Sequence, residues 1–381
     1  MLPLPGFQVH AMSMRTDPVG NPSPRPPSSP GHPYALHRPA KHEALIPELN
    51  RLTRLHYAGC AEYRRLADVL HGGLREFDRC EDFPYLPVRL FKHYDLRSVP
   101  EADLIRTLTS SGTSGQAVSR IHLDKETATR QTRALTEITG SFIGSRRLPM
   151  LIVDCPATLA KRASFSARTA GILGFSIFGR NPTHALDDDM QIDTQAIEAF
   201  LARHGEGPVL VFGFTAVVWQ HFVLALATRG ASLSIPGGIL IHGGGWKKLA
   251  SAAVSPDEFK SRLRRMTGIA RVHNYYGMVE QTGSIFMECG HGFLHASDYS
   301  EVIIRDPLDF NPVPHGVPGL IQLLSVLPQS YPGHSILTED MGTMIGVDDC
   351  PCGRQGARFQ VHGRLKDAET RGCSDVHHDP A

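Results

Sequence analysis

Strand-length runs rich in apolar and aromatic residues recur at 150–153, 209–214, 239–241 and 272–276. Between them, residues 194–203, 217–227 and 256–266 place apolar side chains three and four apart, the spacing of a helix with one buried face. Repetition of strand and helix is the feature that most narrows the possible folds. It predicts an α/β architecture in which helices cover a largely parallel sheet. From Glu301 the pattern changes. Residues 301–305, 319–325 and 335–338 read as strands separated by Pro and Gly turns, which predicts a smaller β-rich lobe.

Ahead of this region, residues 1–40 hold ten prolines scattered among Ser, His and Arg. That composition cannot bury enough apolar surface to offset chain entropy, so a disordered leader is expected over 1–42, with order from Glu43. The α/β core is then expected over 43–300, the β-rich lobe over 301–362, and a tail over 363–381. Leu49, Leu52, Leu55, Leu66, Val69 and Leu70 recur at helical spacing, and Asp124 reads as the cap of a helix on which Ala128, Leu135, Ile138 and Phe142 share a face.

The formal net charge is +1, so no global field draws the chain to nucleic acid or to an anionic membrane. No apolar run has the length of a membrane span, and prolines interrupt what would have to be the core of a secretory signal. Seven cysteines, an odd number, argue for reduced thiols rather than a disulfide framework. A cytoplasmic location is expected.

Every residue from Thr109 to Gly115 is Gly or a small hydroxyl residue. Ser110, Ser111, Thr113 and Ser114 offer hydroxyls, while Gly112 and Gly115 let the backbone approach a ligand. Successive backbone N–H groups in such a turn form an anion-binding nest, and the absence of acidic residues suits a polyphosphate. It is not a Walker loop, because no Lys-Ser/Thr pair follows a G-x4-G frame. The composition also suits a solvated linker. Against that stand ordered-looking flanks, with Leu104, Ile105 and Leu108 before and an amphipathic run after.

Four shorter segments follow. Residues 273–283 read His-Asn-Tyr-Tyr-Gly-Met-Val-Glu-Gln-Thr-Gly at an expected strand end, where ligands of open α/β sheets sit. Tyr276 could stack on a base, Gly277 turn the chain, and Glu280 hold Mg²⁺. Residues 242–248 read His-Gly-Gly-Gly-Trp-Lys-Lys, where Gly243 and Gly244 leave bare backbone for a flat ligand. Thr338-Glu339-Asp340 offers a carboxylate for ribose hydroxyls, and Gly363-Arg364-Leu365-Lys366-Asp367 offers cations for phosphate. Taken singly, each of these also reads as an ordinary turn.

In their order, the five segments resemble the adenylate-forming (acyl-AMP synthetase) superfamily, and within it the acyl-protein synthetase (LuxE-like) family, typified by the ligase subunit of the bacterial luciferase fatty-acid reductase complex. The resemblance covers about residues 43–375. It implies the superfamily's large domain, with mostly parallel sheets covered by helices plus a β-rich lobe, and ATP and Mg²⁺ as cofactors. It places Ser111, Thr113 and Ser114 at the phosphates, Gly244 and Tyr276 beside adenine, Glu280 at Mg²⁺, Asp340 at the ribose, and Arg364 at the ribose or α-phosphate. Two departures stand out. Glu339 occupies a position where Gly is usual. The chain also stops soon after the G-R-x-K-D segment, where other members continue into a mobile domain bearing a catalytic Lys; Lys366, Arg364 or Lys247 would then supply the cation.

Arg371-Gly372-Cys373-Ser374-Asp375 places a thiol close to an arginine, whose charge would favour the thiolate. About ten flexible residues reach roughly 17 Å, enough to enter a neighbouring cleft. The acyl-protein synthetase family is acylated on a cysteine close to the C-terminus, and Cys373 sits in the matching place. An incidental surface thiol is the alternative. Cys289, His295, Cys350 and Cys352 would together form a closed, structural zinc site of three sulfurs and one nitrogen, with His291 as the rival fourth ligand. Phenylacetate-CoA-ligase-like members of the superfamily carry a zinc at similar spacing.

These features lead to an ATP-dependent ligase that converts a carboxylic acid, expected to be a fatty acid, to acyl-AMP and then to a thioester on Cys373, serving a partner acyl reductase or acyltransferase. Phe212, Phe214 and Trp219 are candidates for an apolar acyl pocket, or plain core. Two alternatives remain at this level: a ligase delivering the acyl group to coenzyme A or a carrier protein, and a non-catalytic, zinc-stabilised binding subunit.

Overall fold

A computed structural model describes residues 32–110, 117–160, 167–246 and 252–365. The runs at 150–153, 209–214 and 239–241 lie in strands 148–153, 209–214 and 238–243, which are buried at every position, as strands covered on both faces require. The fourth run, at 272–276, is buried only at Val272 and His273. In chain order the strands are β1 (Leu86–Pro87), β2 (Leu104–Thr109), β3 (Arg120–Asp124), β4 (Leu148–Val153), β5 (Gly179–His184), β6 (Val209–Phe214) and β7 (Gly238–Gly243). They continue as β8 (Arg271–Tyr276), β9 (Phe286–Glu288), β10 (Leu294–His295), β11 (Ser300–Arg305), β12 (Pro318–Ser325), β13 (Ser335–Val347) and β14 (Ala357–Arg364).

The order β5–β4–β6–β7–β8 is parallel throughout. At β8 the ladder turns antiparallel and runs on through β9, β10, β14, β13, β12 and β11, with β1 added parallel to β13. The expected β-rich part is therefore hydrogen-bonded into the same twelve-stranded sheet as the parallel part. Strands β2 and β3 form a separate two-stranded hairpin that brackets the Gly/Ser segment.

The helices that follow β5, β6 and β7 are Thr194–His204, the stretch Thr215–Thr228, which includes a π-helical turn at Val218–Leu224, and Pro256–Thr267. Their buried faces (Ile197, Phe200, Phe222, Leu226, Phe259, Leu263) join Leu151, Val211 and Ile241 in one apolar core. Truncating such a residue, Leu263→Ala for example, costs about 2–5 kcal/mol. Helix Lys125–Ile143 starts as expected, with the Asp124 carboxylate accepting from Thr127 N at 2.8 Å. Its inward face is Thr127, Gln131, Ala134, Ile138 and Phe142, whereas Ala128 and Leu135 are only partly buried.

Three expectations need correction. Order begins before Glu43: helix Arg38–Gly59 has Pro39 in its first turn, Tyr34 is 1% exposed, and Lys41 is fully buried. Lys41 Nζ lies 3.3 Å and His42 Nε2 3.0 Å from one oxygen of Glu301 on β11. Burial alone would raise the Glu301 pKa, but Lys41 and His42 more than offset this and hold it down at about 2. The helical entry is two helices, Arg38–Gly59 and Ala61–His71, and Val69 and Leu70 on the second are exposed. Finally, helix Ala167–Ser176 with β5, and strand β14, were not anticipated, and β13 runs nine residues beyond Thr338.

Candidate active site

Parallel pairing puts the carboxyl ends of β6, β7 and β8 side by side: Phe214 pairs with Gly243, and Gly243 with Tyr275. The two glycines are required sterically. A Cβ on Gly243 would lie 2.5 Å from the Tyr275 ring, and one on Gly244, whose φ is +82°, would lie 2.6 Å from the Phe214 ring. The space expected to be open backbone is thus shared with two aromatic rings of the protein. Of the expected acyl-pocket residues, Phe214 borders Gly244, Phe212 stacks on Phe175 with ring centroids 4.6 Å apart, and Trp219 packs against Trp246 and Phe259. All three are buried.

The next strand-end residue, Tyr276, packs on Phe286 and Phe359, and its hydroxyl donates to Asp340 Oδ2 at 2.6 Å. Gly277 follows it and lies against Ile285. Asp340 sits opposite Arg364 in the β13–β14 register, with Arg364 Nε 3.5 Å from Asp340 Oδ1. Glu339, beside it, pairs with Arg89 and lies 3.9 Å from Arg364. Within β13, Thr338 Oγ1 accepts from Asp340 N at 3.1 Å. Three separate segments, those of Tyr276, Asp340 and Arg364, are therefore in direct contact.

Glu280 lies on a short 3-10 turn and is completely buried. Its neighbour Gln281 anchors that turn by donating to Leu323 O and Gly333 O. Ser119 Oγ donates to Glu280 Oε1 at 2.6 Å, and Ser119 N donates to Ser110 Oγ at 2.8 Å. The ends of the Gly/Ser segment are thus held at Glu280. Ser111, Gly112, Thr113, Ser114, Gly115, Lys247, Lys366 and Cys373 lie outside the described residues.

The sequence reading missed Tyr275, Arg89 and Ser119. Ser119 carried a usable signal, being the first hydroxyl residue after Gly115 and one residue before β3. Arg89 carried none, because its contact with Glu339 spans 250 positions.

The cysteine and histidine set also comes together. Cys289 stands at the β9–β10 turn, His295 on β10, and Cys350 and Cys352 in the turn after β13. The four candidate ligand atoms lie within 4.8 Å of one another. Cys289 Sγ and Cys350 Sγ are 3.9 Å apart, far beyond the ~2.05 Å of a disulfide. With Zn–S bonds of about 2.3 Å, a tetrahedral edge is ~3.8 Å, so this spacing fits a shared metal. Cys352 Sγ lies 3.5 Å from His295 Nε2, and burial, with help from Arg354 and Arg358, lowers the His295 pKa to about 4, leaving the ring neutral as a ligand must be. His291 is exposed and outside the group. A closed set of this kind fits a structural zinc.

A strap from the chain's beginning covers this knuckle. Tyr34 meets the His295 ring edge-on at 6.2 Å, Gln355 N donates to Tyr34 O, and Asp298 accepts from the backbone N–H groups of Ala35 and Leu36. Arg354 lies over both Tyr34 and Phe142.

No helix among the described residues is long and apolar enough to cross a membrane. The family model "Acyl-protein synthetase, LuxE" matches residues 32–380. A long-chain-fatty-acid–luciferin-component ligase from Vibrio harveyi is 22% identical over 327 residues, covering 84% of this chain and 83% of that protein. Among solved structures, an open conformation of 2-hydroxyisobutyryl-CoA ligase with 2-HIB-AMP and CoA superposes with a TM-score of 0.65 at 16% identity, covering 93% of this chain and 83% of that one. The same ligase in a postadenylation state gives 0.66 at 15% identity, with coverages of 92% and 74%. These structures share the fold of the chain. By its sequence from residue 32 to residue 380, the chain belongs to the LuxE acyl-protein synthetase family and is an AMP-forming acid ligase.

Proposed function

We propose that the chain activates a fatty acid at the strand ends described above and passes the acyl group to its own Cys373, from which a partner acyl reductase or acyltransferase takes it. A carboxylate oxygen attacks the α-phosphorus of ATP, the bond to the bridging oxygen breaks, and pyrophosphate leaves. The Cys373 thiolate then attacks the acyl carbon and AMP leaves. Both steps depend mainly on positioning and on neutralising phosphate charge.

In this reading Ser110 to Gly115 hold the phosphates, Gly243, Gly244, Tyr276 and Gly277 border the adenine, and Asp340 takes the ribose hydroxyls. Arg364 or Lys366 supplies positive charge. Glu280 holds Mg²⁺, which when bound neutralises phosphate charge. Cys289, His295, Cys350 and Cys352 hold a zinc whose role is structural. Phe214 is the best placed of the expected pocket residues, since it touches Gly244.

The observation that carries the reading is the contact chain linking Tyr276 to Asp340 and Asp340 to Arg364, because those residues come from three separated segments. A Long-chain-fatty-acid–luciferin-component ligase among the relatives supports a long acyl chain as substrate. Intact-mass measurement after incubation with ATP, Mg²⁺ and acids of graded length tests it. An acyl adduct on wild type that is absent from Cys373→Ser is the expected result. Thioester formation on added coenzyme A by Cys373→Ser, at the wild-type rate, would overturn self-acylation in favour of an external acceptor.

A further inference from the structure

We propose that Ser119 is a positioning residue for adenylation, setting the Glu280 carboxylate for its metal and tying it to the stem of the Gly/Ser segment. The proposal rests on the reading of Glu280 as the magnesium ligand. Three hydrogen bonds made by one residue support it. The Ser119 backbone joins the stem, with Ser110 N donating to Ser119 O at 3.0 Å and Ser119 N donating to Ser110 Oγ at 2.8 Å. Its side chain leaves the stem and donates to Glu280 Oε1 at 2.6 Å across 161 positions of sequence.

Both Ser119 and Glu280 are fully buried, so water does not compete for this bond, and a hydroxyl-to-carboxylate hydrogen bond is of the strong, charge-assisted kind. The turn carrying Glu280 is itself fixed through Gln281, and Gly333 packs so closely that a Cβ there would lie 2.7 Å from Glu280 O. With the backbone held in this way, the remaining freedom is rotation of the carboxylate, and Ser119 restricts it. Partners that orient a metal ligand typically matter about 10–100-fold for metal affinity or activity. Ser110, Ser119 and the metal carboxylate then form one hydrogen-bonded unit.

The test is a magnesium titration of acid-dependent pyrophosphate–ATP exchange in wild type, Ser119→Ala, Ser119→Thr and Glu280→Gln, with thermal unfolding of each. Ser119→Ala is expected to raise the magnesium concentration for half-maximal exchange about tenfold, with KM for the acid unchanged. Ser119→Thr, which keeps the hydroxyl, is expected to restore most of this. Ser119→Cys keeps the volume and weakens the donor, and gives the same readout where the alanine variant does not fold. An unchanged magnesium requirement in a folded Ser119→Ala or Ser119→Cys overturns the proposal. A lowered requirement also overturns it, because Ser119 would then compete with the ion for Glu280. Wild-type magnesium dependence in Glu280→Gln would instead sink the reading of Glu280 itself.

Discussion

The strand-end site and the cysteine–histidine knuckle are both assembled from distant segments, but they are held together differently. Around Asp340 the contacts are a hydrogen bond from Tyr276 and a partly exposed ion pair with Arg364, in contrast to the buried Ser119–Glu280 bond. Exposed or half-exposed pairs of this kind contribute about 0–1 kcal/mol each, which suits groups that must exchange partners when a ligand binds. At the knuckle, Cys289 and His295 are fully buried, and Cys350 nearly so, with the cysteines in turns and His295 on β10. A metal there would hold β9, β10 and the end of β13 as one body. The lesson is a division of labour: weak, re-formable contacts where chemistry is expected, and a strong closed cluster where geometry must not change.

Disrupting the knuckle should have the largest effect. Cys289→Ser is expected to abolish zinc content, read by elemental analysis, and to lower the thermal midpoint sharply. Structural zinc contributes about 10–16 kcal/mol of apparent binding energy, comparable with the whole stability of a domain. Purified wild type without metal, or a variant of unchanged midpoint, would remove the contrast.

Acidification comes next and bears on both parts of the sheet. Burial lowers the pKa of His242, at the end of β7, to about 3, and Lys260 and His273 add to that; burial does the same for His334. Since these rings bind protons in the unfolded chain near pH 6.5 but not in the folded one, stability is complete above that pH and is lost as pH falls towards 3. Each ring should cost about 2 kcal/mol between pH 6.5 and pH 5. Urea midpoints at the two pH values report it, and equal midpoints would refute the burial argument.

Gly244→Ala should destabilise by about 1–3 kcal/mol, because φ is +82° and the Phe214 ring occupies the Cβ position. Its KM for ATP should rise while zinc content stays unchanged. Retention of wild-type stability and KM would show that the Gly244–Phe214 packing is unimportant. The smallest effect is expected from Tyr276→Phe, which keeps the ring against Phe286 and Phe359 and loses one hydrogen bond. A rise of about fivefold in KM for ATP, with kcat maintained, is the expected split. A fall in kcat alone would place Tyr276 closer to the reacting groups than the ribose side.

Much of this was legible in the sequence. The runs at 209–214 and 256–266 gave a strand and a helix of nearly the observed extent, since apolar periodicity there answers to a single core. Segment order led to the expectation that the segments of Tyr276, Asp340 and Arg364 converge, and these three do lie together, although the direct contacts between their side chains were not foreseen. What failed had local causes. The proline count concealed residues 32–42, where Tyr34 and Lys41 are buried through partners more than 250 positions away. Strand β14 had a readable alternation, with Ala357 and Phe359 inward and Gln360 outward, but its end was read only as a charged segment. Strand β13 was cut short because Glu339 and Asp340 look like a turn, although they are half-buried positions inside the strand. Arg89 acts through a partner 250 positions away that no local pattern reveals, whereas Ser119 stood out as the first hydroxyl residue after Gly115.

The strap over the knuckle has a practical bearing on how the protein is handled. A form shortened to begin at Lys41 would discard more than proline-rich sequence. It would strip the Tyr34 ring from His295 and leave Asp298 without the two amide groups it now binds. The sulfurs beneath would then be open to peroxide and chelators, and such a truncation would age on storage in a way that the longer chain does not.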